Sequence, residues 1–283
     1  MLAAFKCTIA LVLLALATTY AYFPVTPGAA WILRFGYNSA QFQEFLNTYD
    51  PQGYRLTWVS PYTVNNVVYY AAIWEKSSNS YAWYMRYGMS AAQYQQEFTA
   101  RVNAGWRLVL VNGYQFGGVD YYAAIWDLAP SGPWIARHGM TPAQYQTEFN
   151  TQVANGYRLT HVSGYTRGAQ QLYAAIWVKD NGPAFYARHG LTAAEYNAAF
   201  AYIVPQGYAP TLLDAWDTSV GTLFAGIWEQ GAQYAWYQRY GMSASEFQLV
   251  FDVLNAVGYR PVQVTGYTNY GGSALYSCLW LKV

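Results

Sequence analysis

Side chains able to do acid–base, nucleophilic or metal chemistry are sparse in this chain. Three histidines (His138, His161, His189) and two cysteines (Cys7, Cys278) are scattered over 283 residues. A hydrolytic triad needs a nucleophile, a His and an acid converging on one point, and no Gly-x-Ser-x-Gly elbow is present. No His/Cys/Asp cluster has metal-ligand spacing and no phosphate loop occurs. The sequence therefore predicts no catalytic residue, no metal and no cofactor.

One polar residue does recur at fixed spacing. Arg34, Arg86, Arg137, Arg188 and Arg239 stand between aromatics in a motif repeated along the chain. No acid recurs at a fixed offset to pair with them: Glu97 and Glu148 match each other, but Ala199 and Val250 take that place later. These arginines either stack on rings and bond backbone carbonyls, or line a mouth that binds carboxylates or sulfates. Tyr62, Tyr114, Tyr165, Trp216 and Tyr267 form a second series at strand ends. They either pack there or project to stack on sugar rings or an extended peptide. These ten are the candidate binding residues. A further series, Arg55, Arg107, Arg158 and Arg260, is broken by Ala209 and is expected to be solvated and not essential to the fold.

The elements that must position these residues are set by the repeat. Segments 31–74, 83–126, 134–177, 185–228 and 236–280 superimpose on one another, and Gly36, Gly88, Gly139, Gly190 and Gly241 are separated by 52, 51, 51 and 51 residues. Two residues after each glycine stands Asn38, Ser90, Thr141, Thr192 or Ser243, followed three residues later by Gln or Glu. That spacing is a capping box, which predicts a helix start. Tyr94, Phe98 and Val102 make a helical apolar stripe, and Gly53, Gly105, Gly156, Gly207 and Gly258 stop a helix of about 13 residues. A strand follows (Tyr54–Tyr62 in the first copy), then a hairpin and a closing strand such as Tyr121–Trp126. Leu159 and Val162 are three apart, so the first of these strands is covered on both sides or bulged. The opening aromatic-Arg segment reads as a third strand.

The predicted fold is α+β: five tandem strand-helix-strand-strand repeats of about 51 residues. Such units cannot bury much alone and share a core with their neighbours. Neither end looks like a polar cap, so a ring-like or vase-like closure is favoured over an open solenoid. A kelch propeller has a similar period, but its blade has no helix.

Comparing the copies also removes candidates. His138 and His189 fall where other copies carry Phe35, Tyr87 and Tyr240, and His161 aligns with Trp58, Leu110 and Gln263, so packing is their expected role. Cys278 stands where other copies carry Ala and reads as a small core residue.

Residues 1–21 read as a signal peptide, with Lys6 ahead of an apolar run too short to span a bilayer and Thr19-Tyr20-Ala21 at the cleavage site. The expected mature domain, 22–283, is extracellular and has no later spanning segment. Losing Lys6 leaves fourteen basic against fourteen acidic residues, which argues against nucleic acid or anionic membrane as partner. Charged residues are only 10% and aromatics 19%, so the surface must use groups that both pack and hydrogen-bond.

The string Trp134-Ile135-Ala136-Arg137-His138-Gly139-Met140-Thr141, through Gly156-Tyr157-Arg158-Leu159 to Tyr173-Ala174-Ala175-Ile176-Trp177, resembles the bacterial tandem repeat family of exported proteins. It is also similar to the N-terminal domain of fungal polyglycine hydrolases, secreted proteases that add a serine β-lactamase-like domain. The resemblance covers about residues 31–283 and implies fold and export. The hydrolases' catalytic domain uses Ser with Lys three residues on; the residues three before Lys6, Lys76, Lys179 and Lys282 are Ala3, Ile73, Ile176 and Leu279. Proteolysis is therefore not carried over. The expected function is a secreted, non-catalytic binding module for a glycan or extended peptide. The alternatives are a hydrolase with a site between repeats and a structural matrix protein.

Overall fold

The structure is a computed structural model and describes residues 26–76, 81–269 and 271–283. The signal-peptide segment lies outside the described residues. The first repeat comprises β1 (Trp31–Asn38), α1 (Ser39–Tyr49), β2 (Tyr54–Val64) and β3 (Val67–Lys76). The second comprises β4 (Trp83–Ser90), α2 (Ala91–Asn103), β5 (Arg107–Phe116) and β6 (Val119–Asp127). The third comprises β7 (Trp134–Met140), α3 (Pro142–Ala154), β8 (Arg158–Arg167) and β9 (Gln170–Val178). The fourth comprises β10 (Phe185–Leu191), α4 (Ala193–Ile203), β11 (Tyr208–Thr218) and β12 (Gly221–Gln230). The fifth comprises β13 (Ala235–Met242), α5 (Ala244–Ala256), β14 (Tyr259–Thr268) and β15 (Ala274–Lys282).

Each repeat is a separate three-stranded antiparallel sheet with its closing strand in the middle, as in β1-β3-β2. The five sheets do not merge into one closed barrel. All five helices start with the reciprocal capping box. Helices α1 and α4 are two residues shorter than the others and end in a 3-10 turn carrying Pro51 or Pro205. Proline has no N–H to continue the helical ladder, which accounts for the early tightening. The motif glycines have one job each. Gly36 and its counterparts take φ of +64° to +76° at a bulge in the opening strand, and Gly53 and its counterparts take +79° to +88° at the helix stop. A side chain is strained at both. A second bulge falls in β2 between Leu56 and Trp58, and at the same position in the other four copies. It resolves the three-residue spacing seen in the sequence.

Both faces of each sheet are covered. In β3, Tyr70, Ala72 and Trp74 face α1 and the second repeat, while Ala71 and Ile73 face the fifth. That double burial explains why Tyr-Ala-Ala-Ile-Trp is a continuous apolar run. Five core clusters result, each shared by two repeats: first with second, second with third, third with fourth, fourth with fifth, and fifth with first. In the last, Met242, Phe247, Val264, Tyr276 and Trp280 pack on Leu33, Tyr62, Ala71 and Ile73. Five equivalent tryptophans, Trp74, Trp126, Trp177, Trp228 and Trp280, are fully buried. Each contributes up to roughly 3 kcal/mol of hydrophobic burial. The helical stripe is buried at Tyr94 but loosens to an exposed Val102 at the far end.

Candidate functional site

The strands β2, β5, β8, β11 and β14 carry the residues that face two recesses, each lined by all five repeats. Their first halves line one chamber of about 330 Å³ and their second halves another of about 210 Å³.

The larger chamber is walled by the bulge residues Thr57, Val109, Thr160, Thr211 and Val262. The three threonine hydroxyls donate to the carbonyls of Ile73, Ile176 and Ile227. Its rim is charged, and the arginines there are the broken second series. The expectation that they are solvated is corrected: Arg158 and Arg260 are buried, and Arg55 and Arg107 are largely so. The physical reason is an acid after the closing tryptophan of the following repeat. Arg55 reaches Asp127 at 3.5 Å, Arg158 pairs with Glu229, and Arg260 of the fifth repeat pairs with Glu75 of the first at 2.6 Å. The third repeat has Val178 in that place, and Arg107 turns to its own Asp127 at 2.6 Å. Ala209 precedes a repeat whose equivalent residue is Leu281, so one interface dispenses with both charges.

Next along these strands stand Trp58, Leu110, His161, Leu212 and Gln263, the first four of which line the larger chamber. Trp58 packs against three of the five cores, lies 5.7 Å from the His161 ring and donates its Nε1 to the Val264 carbonyl at 2.7 Å. His161 Nε2 faces two acceptors, Val111 O at 2.9 Å and Asn112 Oδ1 at 3.0 Å, which places its proton there. Burial holds the imidazole neutral, down to a pKa of about 4.

The smaller chamber is lined by Ser60, Asn112, Ser163, Asp214 and Thr265 with their neighbours, and no Lys, Arg or His lines it. These five side chains stitch each repeat to the backbone of the preceding one. Ser60, Ser163 and Asp214 accept from the N–H of Gly266, Gly113 and Gly164 at 3.1, 3.2 and 2.6 Å. Pro61 offers no N–H, and Asn112 instead donates to the Val59 carbonyl at 2.6 Å. Thr265 donates to the Leu213 carbonyl. Burial raises the Asp214 carboxyl to a pKa of about 7 and pushes up that of Asp217.

The first arginine series lines neither chamber. Arg34, Arg137 and Arg188 each donate to the carbonyl of the preceding residue. Arg86 and Arg137 pair with Glu97 and Glu148 on the helix of the same repeat, and Arg34 lies over Phe45 and Tyr49. Arg239 is likewise absent from both linings. The series is thus dispersed over the helix side of the repeats rather than brought to one mouth.

The aromatic series does border the smaller chamber but does not project into it: Tyr62, Tyr114, Tyr165, Trp216 and Tyr267 are buried. Each wedges against the preceding repeat. Tyr62 and Tyr165 share hydroxyl hydrogen bonds of 2.7 Å with Tyr276 and Tyr122, Tyr114 bonds Tyr70, and Trp216 and Tyr267 pack edge-on to Tyr173 and Phe224. The ring faces rest on glycines: a Cβ at Gly113, Gly164 or Gly266 would come within 2.4 Å of Tyr165, Trp216 or Tyr62.

His138 and His189 occupy the same edge-on ring contacts as Phe35, Tyr87 and Tyr240, at 4.5–5.3 Å from the helix and closing-strand tyrosines. Burial lowers the pKa of both. Cys278 is buried in the fifth core beside Met242 and Trp280, its thiol pKa raised.

Sequence reasoning missed the chambers. Ser60, Asn112, Ser163, Asp214 and Thr265 differ in type from copy to copy, and only their shared polarity at one motif position signals them. Among the described residues no group of His, Cys, Asp and Glu could hold a metal ion, and no helix is long and apolar enough to cross a membrane.

Residues 28–77, 80–128, 131–180, 182–231 and 233–283 each match the family described as polyglycine hydrolase-like, structural repeat.

Proposed function

We propose that this chain, which belongs to the polyglycine hydrolase-like structural repeat family, is an extracellular, non-catalytic binding module. In this reading its five repeats close into a ring-like unit and present shared chambers to a glycan or an extended peptide. The observation that carries it is the lining of each chamber by equivalent strand positions from all five repeats. The core between the fifth and first repeats, with its Tyr62–Tyr276, Ser60–Gly266 and Arg260–Glu75 contacts, supports closure. The local chemistry favours holding over turnover. Ser60 and Ser163 accept from backbone amides, and the His161 proton is shared between two structural acceptors. The chambers are small, and Trp58 and His161 line the larger one, so a polymer would enter by its end or a side group.

Glycan and peptide arrays probed with the intact chain and with Val109→Trp, which fills the larger mouth, test the reading. Binding to a discrete set, lost in the variant while its unfolding transition is kept, is expected. An empty array, binding that ignores the filled mouth, or cleavage of Gly-rich peptides would contradict it. For export, N-terminal sequencing of the protein from culture medium should begin at Tyr22. A cell-retained chain keeping residues 1–21 would contradict it.

A further inference from the structure

The charges lining the larger chamber balance. Arg55, Arg107 and Arg260 stand against Glu75, Asp127 and Glu229, three of each sign. All six are held in ion pairs. A charged guest would give up its hydration with no surplus of the opposite sign to offset the loss. Donors in the lining are used as well. Thr57, Thr160 and Thr211 donate to strand carbonyls, and Trp58 Nε1 donates to Val264 O.

An acceptor remains at His161. This residue is 4% exposed and lines the larger chamber but not the smaller one. Its Nε2 faces the Val111 carbonyl and Asn112 Oδ1, which puts the proton there and leaves Nδ1 with a bare lone pair. That nitrogen has no hydrogen-bond partner among the described residues. Nor is it sealed in the packing, as the orphaned indole nitrogens of Trp74, Trp126 and Trp177 are. Nδ1 therefore opens on the larger chamber. The Trp58 ring lies beside it, 5.7 Å between centroids, and Leu110, Leu212 and Val262 continue the wall. A volume of about 330 Å³ lies at the small end of ligand pockets, roughly 300–1,000 Å³, and suits a single ring.

Resting on the binding-module reading, we infer that this chamber takes an uncharged aromatic ring carrying one hydroxyl or N–H donor, the ring against Trp58 and the donor on His161 Nδ1. A buried acceptor without a donor costs free energy, which such a guest recovers. The ring displaces water from Trp58, Leu212 and Val262. Two sources share this chemistry, a free phenol or indole and the Tyr or Trp side group of an extended peptide.

Two isomers isolate the donor: 4-ethylphenol has it and 4-methylanisole lacks it. A capped Ala-Tyr-Ala peptide and its O-methyltyrosine form put the same pair on a chain. Calorimetry gives the affinities, and NMR of the Val109 and Val262 methyls and the Trp58 indole reports the place. Each phenol is expected to bind about tenfold tighter than its methyl ether, the scale of one hydrogen bond. His161→Leu, the residue type at the equivalent Leu110 and Leu212, should bring the phenol to the ether's level and leave the ether unchanged. Should that variant not fold, the nitrogen resonance of His161 Nδ1 in the intact chain decides. A shift with the phenol and none with the ether supports the inference, and the same response to both overturns it. The charged ring 4-hydroxyphenylacetate should bind more weakly than 4-ethylphenol; equal or tighter binding overturns the uncharged assignment. Tighter binding by the tyrosyl peptide assigns the side group as the source, and tighter binding by 4-ethylphenol assigns the free ring; either supports the inference. Equal affinity of phenol and ether, or a preference that survives His161→Leu, overturns the donor assignment while leaving the module reading to the arrays. No shift of the valines or Trp58 with any probe also overturns it, and with empty arrays the module reading falls as well.

Discussion

The two chambers are built from the same five strands, yet their chemistry is opposite. The larger has apolar walls, an indole floor and a rim of arginines and acids. The smaller is lined by hydroxyls, amides and two aspartates with no cationic lining residue. The difference comes from what each half-strand must do. In the first half the bulge pushes an extra residue inward, and long arginines bridge from one repeat to the acid of the next. In the second half the repeats come close enough for an aromatic ring to lie on a glycine, and short side chains hydrogen-bond the neighbouring backbone. Long-range charge pairing joins repeats at one end and close packing joins them at the other.

Removing a carboxylate from the charged end should cost most. Glu75→Ala leaves Arg260 buried without its carboxylate partner and is expected to destabilise by about 4 kcal/mol, whereas Glu229→Ala should cost less because Arg158 keeps Asp180. Urea unfolding of the two variants checks this. A far milder Glu75→Ala would mean the fifth and first repeats are not joined.

At the close-packed end, Gly266→Ala drives a methyl into the Tyr62 ring, and a cost of about 3 kcal/mol is expected. Gly113→Ala and Gly164→Ala meet the same contact within the chain, so thermal unfolding should rank all three together. A Gly266 variant that behaves as wild type would break the equivalence.

The pH dependence should also divide the chambers. Asp214 has its folded pKa raised from 3.8 to about 7, so its contribution is most favourable below pH 4 and is lost as the pH rises through 7. His161 has its folded pKa lowered from 6.5 to about 4, so its contribution is full above pH 6.5 and is lost as the pH falls toward 4. Asp214→Asn keeps an acceptor for Gly164 and should gain up to about 4 kcal/mol at pH 8, with little change at pH 4. His161→Leu should flatten only the acid limb. Unfolding curves from pH 4 to 8 test both, and a pH-independent Asp214→Asn effect would contradict the assignment.

The smallest effect belongs to the residues that looked most functional in the sequence. Arg137 is half exposed and pairs with Glu148 on the helix of its own repeat, so Arg137→Ala should cost less than about 1 kcal/mol. It should leave array binding unchanged; loss of binding would return the first arginine series to the site.

Comparing the copies made the repeat units legible. The capping boxes, the bulge behind Leu159 and Val162, and the substitution of His138 and His189 for aromatic rings all follow from one motif position at a time. The chambers did not follow, because their residues meet only across repeat boundaries. Arg158 and Glu229 are 71 residues apart, and Arg260 and Glu75 are 185 apart. One signal was present: the only repeat lacking this arginine, at Ala209, precedes a repeat lacking the acid, at Leu281. The aromatic series stayed open between packing and projection for a related reason. Its own repeat does not show what covers a strand-end tyrosine, and it is the glycine of the preceding repeat that buries it.

The proposed closure of the five equivalent repeats into one unit makes a prediction about their ends. Native-state hydrogen exchange on the closing strands β3, β6, β9, β12 and β15 tests it most directly. A closed unit gives β3 and β15 the same protection as β9, because every sheet is covered on both faces. Protection that falls toward β3 and β15, as the ends of an open stack fray, would contradict it.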